Sequence, residues 1–323
     1  MNRNWIAACA LVLLSACATH PPRGVYSFAL IGDLQYNAAE EALFPELIDA
    51  INRENVEFVV HVGDFKAGSN SPCTDAIYLS RRDDFNRSKY PFVLLPGDND
   101  WVDCRRPTNG SYAPLERLQK LREVFFSAPL SLGQKKMPLM RQSDVFAKDA
   151  VLSRYEENMM WLRDGIVYAS FNIQGSNDNK GFTAADDAEW IERTRANITW
   201  LQHSIARAAR SDITALVIFM QANPGFDAPM AEMRKSAYKT FMETFERDAI
   251  AFGKPVLFAH GDTHIFRTEP YQSPFDKRAI PNVTRLEGYG SPFVNWVRVT
   301  VDANNRAQPF AISSGGFPPT PPK

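Results

Sequence analysis

Four short acidic loops, each placed behind an apolar run, carry the residues of this sequence best suited to chemistry. The densest is Pro96-Gly97-Asp98-Asn99-Asp100-Trp101, where two carboxylates flank an amide. Ile31-Gly32-Asp33 and Val62-Gly63-Asp64 precede it, and Gly261-Asp262-Thr263-His264 follows it. Carboxylates, amides and an imidazole drawn from separate loops can hold a cation and position a water or an anion. One Gly-Asp after a strand is an ordinary turn. Four of them in series point to a shared site.

Such loops must be delivered by regular elements. Phe92 to Leu95 reads as a buried strand, as do Tyr26 to Ile31 and Phe58 to Val62. Helices are expected between them, at Ala38 to Asn52, where Leu43, Leu47, Ile48 and Ile51 fall in period, and at Thr74 to Asn86. This β-α-β-α-β order predicts parallel strands with right-handed crossovers. Ligands collect beyond the carboxyl ends of such strands. Pro114 suits the first turn of a helix running to Phe126. Ser127 to Ala150 is weakly patterned and reads as a long loop. Arg154 to Leu162 and Ile166 to Ile173, joined at Asp164-Gly165, read as a hairpin. A long helix is expected over Asp186 to Ala209. Further buried strands are expected at Ala215 to Met220 and Val256 to Ala259, separated by a helix from about Ser236 to Phe252. Val283 to Tyr289 and Phe293 to Val301 are expected to pair antiparallel. With no internal repeat and no linker, one domain over residues 25–312 is the reading, followed by a Pro-rich tail over 313–323.

Taken together the loops resemble the calcineurin-like metallophosphoesterase family, whose pattern runs Asp-x-His, Gly-Asp, Gly-Asn-His-Asp, a His near a Pro, then Gly-His-x-His. The order and strand context match from Gly32 to His264. Asp33, Asp64, Asp100 and His264 agree with the pattern. Gln35 stands in place of the first His, Asp98 of the Asn, Asn99 of the catalytic His, and Asp262 of a metal-binding His. No His occurs in Met220-Gln221-Ala222-Asn223-Pro224. The resemblance implies an α/β fold, a four-layer α/β/β/α β-sandwich flanked by helices. It also implies one metal on Asp33, Gln35, Asp64 and His264. A second metal would take Asp64 as the bridge, Asp98, Asp262, and Gln221 or Asn223, with Gln221 favoured because it directly follows a strand. Each departure at a ligand position replaces one coordinating group with another. Oxygen donors favour one or two divalent hard ions, Mg, Mn or Ca, over Zn or Fe. Four carboxylates roughly balance two such ions, so the site should attract phosphate less strongly than the family pattern does. Asn99, in the catalytic position, can position a phosphate oxygen but cannot donate a proton as an imidazolium does. Asp100 is expected to orient it. Arg267 is a candidate phosphate contact, a surface ion pair being the alternative. Trp101, Phe226 and Tyr289 either wall the site or pack in the core. His61, His203 and His260 are read as structural.

The chain has 323 residues, 45% hydrophobic and 23% charged, with a formal net charge of -1. That composition supports a full core and gives no electrostatic case for nucleic acid as a partner. Residues 1–16 read as a signal peptide, with Arg3 before an apolar stretch from Trp5 to Leu14 that is too short to span a membrane. Leu14-Ser15-Ala16-Cys17 resembles the bacterial lipobox. Cys17 would then carry lipid, with residues 17–24 as tether, and Ala18 favours the outer membrane, facing the periplasm. An ordinary cleaved signal peptide is the alternative. Cys73 and Cys104 remain, and an oxidising compartment predicts a disulfide between them, two free buried thiols being the alternative. The expected function is metal-dependent hydrolysis of phosphate mono- or diesters by an activated water at the cell envelope. The rival is a protein that binds metal or a small phosphorylated ligand without turnover. A structural envelope protein using the fold as scaffold is a third reading, resting on the lipid anchor alone.

Overall fold

The computed structural model describes residues 24–317 except Arg234. The signal segment, Cys17 and the end of the Pro-rich tail lie outside the described residues. Among the described residues no helix is long and apolar enough to cross a membrane.

Alternating and continuous apolar runs supply two sheets. The first holds β1 (Val25–Ile31), β2 (Val59–His61), β3 (Phe92–Leu94), β11 (Val297–Asp302) and β12 (Phe310–Ser314), in the order β12-β11-β1-β2-β3. β1, β2 and β3 are parallel, as the crossover pattern predicts, through α1 (Ala38–Arg53) and α2 (Asp75–Phe85). Both helices begin on side-chain caps. Asn37 accepts from the amides of Ala39 and Glu40, and Thr74 from that of Ile77. α3 (Pro114–Phe125) opens on the proline, whose missing N–H costs nothing there.

The second sheet runs β4-β5-β6-β7-β8-β10-β9. Its strands are β4 (Met140–Arg141), β5 (Met159–Arg163), β6 (Ile166–Ser170), β7 (Ala215–Phe219), β8 (Val256–His260), β9 (Arg267–Gln272) and β10 (Ala279–Glu287). α4 (Ala184–Ala208) and α5 (Lys239–Phe252) cover its outer face through Trp200, Leu201, Phe241 and Phe245. α1, α2 and α3 cover the first sheet through Phe44, Ile48, Phe85 and Leu121. The result is a mixed α/β fold of two sheets flanked by helices. Between the sheets lies an aromatic seam. Phe28 and Phe58 from one sheet meet Tyr168 edge-on at 5.7 and 5.1 Å, and Trp161 and Tyr168 stack at 5.2 Å.

Two expectations need correcting, and one strand went unread. β5 and β6 do form a hairpin, but β5 begins at Met159, and 155–158 stays irregular. β9, half polar and on a sheet edge, carries too little apolar pattern to be read. The two late apolar runs do not pair. β10 lies parallel to β8 in the second sheet, whereas β11 lies antiparallel to β1 in the first. Gly288 to Asn295 crosses between sheets instead of closing a hairpin.

Candidate active site

The acidic loops meet at one end of the molecule, beyond the carboxyl ends of strands from both sheets. Asp33, Asp64 and Asp98 follow β1, β2 and β3. Gln221, Asp262 and His264 follow β7 and β8. The backbone at these loops is unusual. Asp33, Gln35, Asp64, Asp262 and His264 all adopt left-handed conformations, with φ of 52, 65, 58, 83 and 66°. Non-glycine residues pay for that conformation, and surrounding contacts must hold them in it. Close packing adds to this: a Cβ on Gly97 would collide with the Asp64 carboxylate and amide.

Asp64 is the hub. Its Oδ1 accepts the Asn99 amide N–H at 3.0 Å, and its Oδ2 accepts the Tyr36 hydroxyl at 3.1 Å and Gln221 Nε2 at 3.2 Å. Gln221 Oε1 in turn accepts the Gly175 amide at 2.6 Å. Both Asp33 oxygens accept the Asp262 amide, at 3.2 and 3.1 Å, and Asp262 Oδ2 accepts the Asn223 amide at 2.8 Å. Asp98 Oδ2 accepts Ser176 Oγ at 2.7 Å, while its buried Oδ1 has no partner. His264 Nδ1 lies 2.7 Å from the Ser291 carbonyl, which can only accept, so the ring proton sits on Nδ1. Nε2 then turns its lone pair inward, 3.8 Å from Asp33 Oδ1.

The electrostatics follow from burial. Burial, then neighbouring Asp262 and Asp98, push Asp33 well above the carboxylate range. Asp64 is pushed up by burial and by Asp98, Asp100 and Asp33. Burial raises Asp98 against the pull of Ser176, and burial with Asp98 raises Asp262 to about 7. His264 is lowered, chiefly by burial, which disfavours its charged form. The buried Lys66 ammonium stands behind the loops, donating to the Asn99 carbonyl at 2.8 Å. Burial lowers its pKa to about 8 even though several carboxylates oppose this.

The structure therefore brings together Asp33, Asp64, Asp98, Asn99, Gln221, Asp262 and His264. Gln35 is different. Its Nε2 donates to Asp84 of α2 at 3.0 Å, while its buried Oε1, the atom able to ligate, has no partner. Asn223 shapes its own loop, accepting the amides of Gly225 and Phe226, which leaves Gln221 as the inward group. Asp100 does not orient the Asn99 side chain. Its oxygens take the amides of Asp64, Phe65 and Gly97 at 2.8–2.9 Å and so tie the second loop to the third. Arg267 is engaged by Glu287 and Asp227, both at 3.1 Å, and these ion pairs replace the phosphate contact expected of it. Trp101 is fully buried, Phe226 packs on Phe258 and Tyr271, and Tyr289 stacks on Phe266 at 4.7 Å. Cys73 and Cys104 form the expected disulfide, beside the carbonyls of Asn99 and Asp100. His260 accepts from Arg285 Nε at 2.9 Å and is structural, as read.

Two contributors escaped the sequence reading. Tyr36 follows Gln35 directly and reaches the centre. Ser176 opens a run of four left-handed residues, Ser176 to Asn179, with φ from 48 to 66°. Adjacency to an acidic loop was the available signal for Tyr36. For Ser176, the polar run Gly175-Ser176-Asn177-Asp178-Asn179 was the only one.

Among the described residues no three His, Cys, Asp or Glu side chains stand ready as a metal cage. Their carboxylates are held by N–H and O–H donors of the protein. The donor chemistry nonetheless fits divalent cations. The unpartnered buried Asp98 Oδ1, the raised carboxylates and the inward His264 Nε2 all favour positive charge.

The family described as calcineurin-like phosphoesterase matches residues 26–266. No curated protein matches. Among solved structures, the chain is similar to a dimetal phosphatase from Danio rerio (12% identity, 86% of this chain and 93% of that chain, TM-score 0.46). It is similar to a 5'-nucleotidase from Candida albicans (11% identity, 89% and 51%, TM-score 0.44). It is also similar to vacuolar protein sorting 29 from Cryptosporidium parvum (10% identity, 91% and 98%, TM-score 0.32).

Proposed function

The chain belongs to the calcineurin-like phosphoesterase family, and from that premise we propose that it hydrolyses phosphate esters with the help of divalent cations. Asp33, Gln35, Asp64, Asp98, Gln221, Asp262 and His264 would hold them. The observation that carries this reading is the convergence of four carboxylates on loops from both sheets, Asp33, Asp64 and Asp262 in left-handed conformation and Asp98 with its buried Oδ1 unpartnered. Oxygen donors outnumber the single imidazole, which supports Mg, Mn or Ca over Zn or Fe. Cations bound there would acidify a water and offset the charge of a phosphoryl group.

The protein's own groups do the positioning. Asp64, fixed by Asn99, Tyr36 and Gln221, sits at the bridge between the two halves. The Asn99 amide can donate to a phosphoryl oxygen, but it has no proton to give to a leaving group. Esters with good leaving groups are therefore the substrates this site suits best, and small phosphorylated molecules are its class.

A second reading, binding of metal or a phosphorylated ligand without turnover, is favoured by one observation. Asp100 is committed to backbone amides and does not activate the residue beside it. We place the body, residues 25–312, outside the cytoplasm on a lipidated Cys17, after removal of residues 1–16. The Cys73–Cys104 disulfide supports an oxidising compartment.

The test is to measure bound metal in the purified protein and to assay mono- and diester hydrolysis with Mg, Mn, Ca and Zn, alongside Asp64→Ala. Metal-dependent turnover that disappears in Asp64→Ala is expected. Metal uptake without turnover on either ester class would move the assignment to binding. Absence of metal uptake would sink both.

A further inference from the structure

Gln35 donates its Nε2 to Asp84, and the next residue, Tyr36, reaches the centre of the site. Three groups of the site converge on the Tyr36 hydroxyl. Asn99 Nδ2 donates to it at 2.9 Å, it donates to Asp64 Oδ2 at 3.1 Å, and His264 Nε2 lies 3.5 Å away. The Tyr36 ring meets the His264 ring edge-on, with centroids 5.3 Å apart. A phenol has one proton. Because Asn99 can only donate through Nδ2, that proton points to Asp64, the nearer acceptor.

Tyr36 is itself held from behind. Its amide donates to Glu40 Oε2 at 2.9 Å, and Glu40 Oε1 takes the Ser291 hydroxyl at 2.5 Å. Ser291 is also the residue whose carbonyl fixes the His264 ring. Asn99 is constrained at its other end, because a Cβ on Gly68 would collide with Asn99 Oδ1.

From these contacts we infer that Tyr36 is a positioning residue of this site. Its hydroxyl fixes the direction of the Asn99 amide and the rotation of the Asp64 carboxylate. With Nδ2 anchored through one N–H on Tyr36, Asn99 keeps a single amide N–H to offer an anion. Asp64, the bridge, is presented to cations in one orientation. The inference rests on the proposed cation site. Groups that hydrogen-bond a ligating carboxylate set its affinity, and their loss costs about 10–100-fold in metal binding.

Tyr36→Phe removes the hydroxyl and keeps the ring. Two readouts, neither of which needs turnover, test it. In ¹⁵N-labelled protein without added metal, the Asn99 side-chain amide signal, identified by its loss in Asn99→Ala, should move in Tyr36→Phe. Calorimetric titration with Mn²⁺ should show affinity about tenfold weaker in Tyr36→Phe and no weaker again in Tyr36→Phe/Asn99→Ala. An unmoved amide signal or an unchanged Mn²⁺ affinity in Tyr36→Phe overturns the inference. A wild-type protein that takes up no Mn²⁺ overturns the cation reading instead, and the amide signal still decides whether Tyr36 holds Asn99.

Discussion

At the scale of single residues, the site depends on atoms that are missing as much as on those present. Gly175 lies where a Cβ would sit 2.6 Å from Asp98 Oδ1 and 3.0 Å from Asp262 Oδ1. Gly175→Ala must push the turn away from both carboxylates. It should weaken Mn²⁺ binding at least about tenfold and cost about 1–3 kcal/mol in urea denaturation. His61 offers a separate, pH-dependent expectation. Burial, with Arg81 adding to it, lowers its pKa from 6.5 to about 3, and Nδ1 accepts the Gly63 amide while Nε2 has no partner. Below about pH 6.5 the unfolded chain binds a proton that the folded chain refuses. Stability is therefore full above that pH and falls as pH drops toward 3, by about 1.4 kcal/mol per unit. His61→Asn keeps an acceptor for Gly63. It should flatten this slope between about pH 7 and 5 in chemical denaturation, and an unchanged slope would show that other groups set it.

At the scale of elements, the turn from Ser176 to Asn179 shows how a strained segment is kept in place. Asp178 pairs with the fully buried Arg193 of α4 at 2.6 Å, and Arg193 also donates to the carbonyls of Asn172 and Asp178. Its guanidinium stands 5.5 Å from the Trp101 ring centre, joining the turn to the third loop. Arg193→Leu leaves Asp178 buried without its partner, so a loss of about 3–5 kcal/mol in denaturation is expected. Weaker Mn²⁺ binding should accompany it, because Ser176 then no longer holds Asp98. This turn was illegible in the sequence for a physical reason. A run of polar residues in left-handed conformation has neither the two-residue nor the 3.6-residue period that betrays strands and helices. The loops after β1, β2, β3 and β8 were legible because each pairs a buried apolar run with a glycine and a carboxylate. Tyr36 was missed for a related reason: the pattern reads carboxylates, amides and imidazoles by spacing, and a phenol beside two left-handed residues carries no such signal. The late strands were misread because two neighbouring apolar runs look alike whether they pair or cross to another sheet. Here the crossing is functional in place, since Ser291 on that passage fixes His264.

At the scale of the whole molecule, two ties hold the site in register, one within a sheet and one between sheets. The Cys73–Cys104 disulfide, spanning 31 residues, links the stretch after Asp64 to the stretch after Asp100. Replacing both cysteines with serine should cost about 2–4 kcal/mol, measurable by denaturation with and without reductant. The other tie is the aromatic seam between the sheets, and it has a mechanical consequence. Asp33, Asp64 and Asp98 ride on one sheet, and Gln221, Asp262 and His264 ride on the other, so any sliding of one sheet over the other is read out directly as a change in donor spacing. Phe28, Phe58, Trp161 and Tyr168 interlock edge-to-face and face-to-face across that plane. They act as the teeth of a coupling that transmits no shear. The aperture of the site is thus calibrated by rings that never meet a ligand.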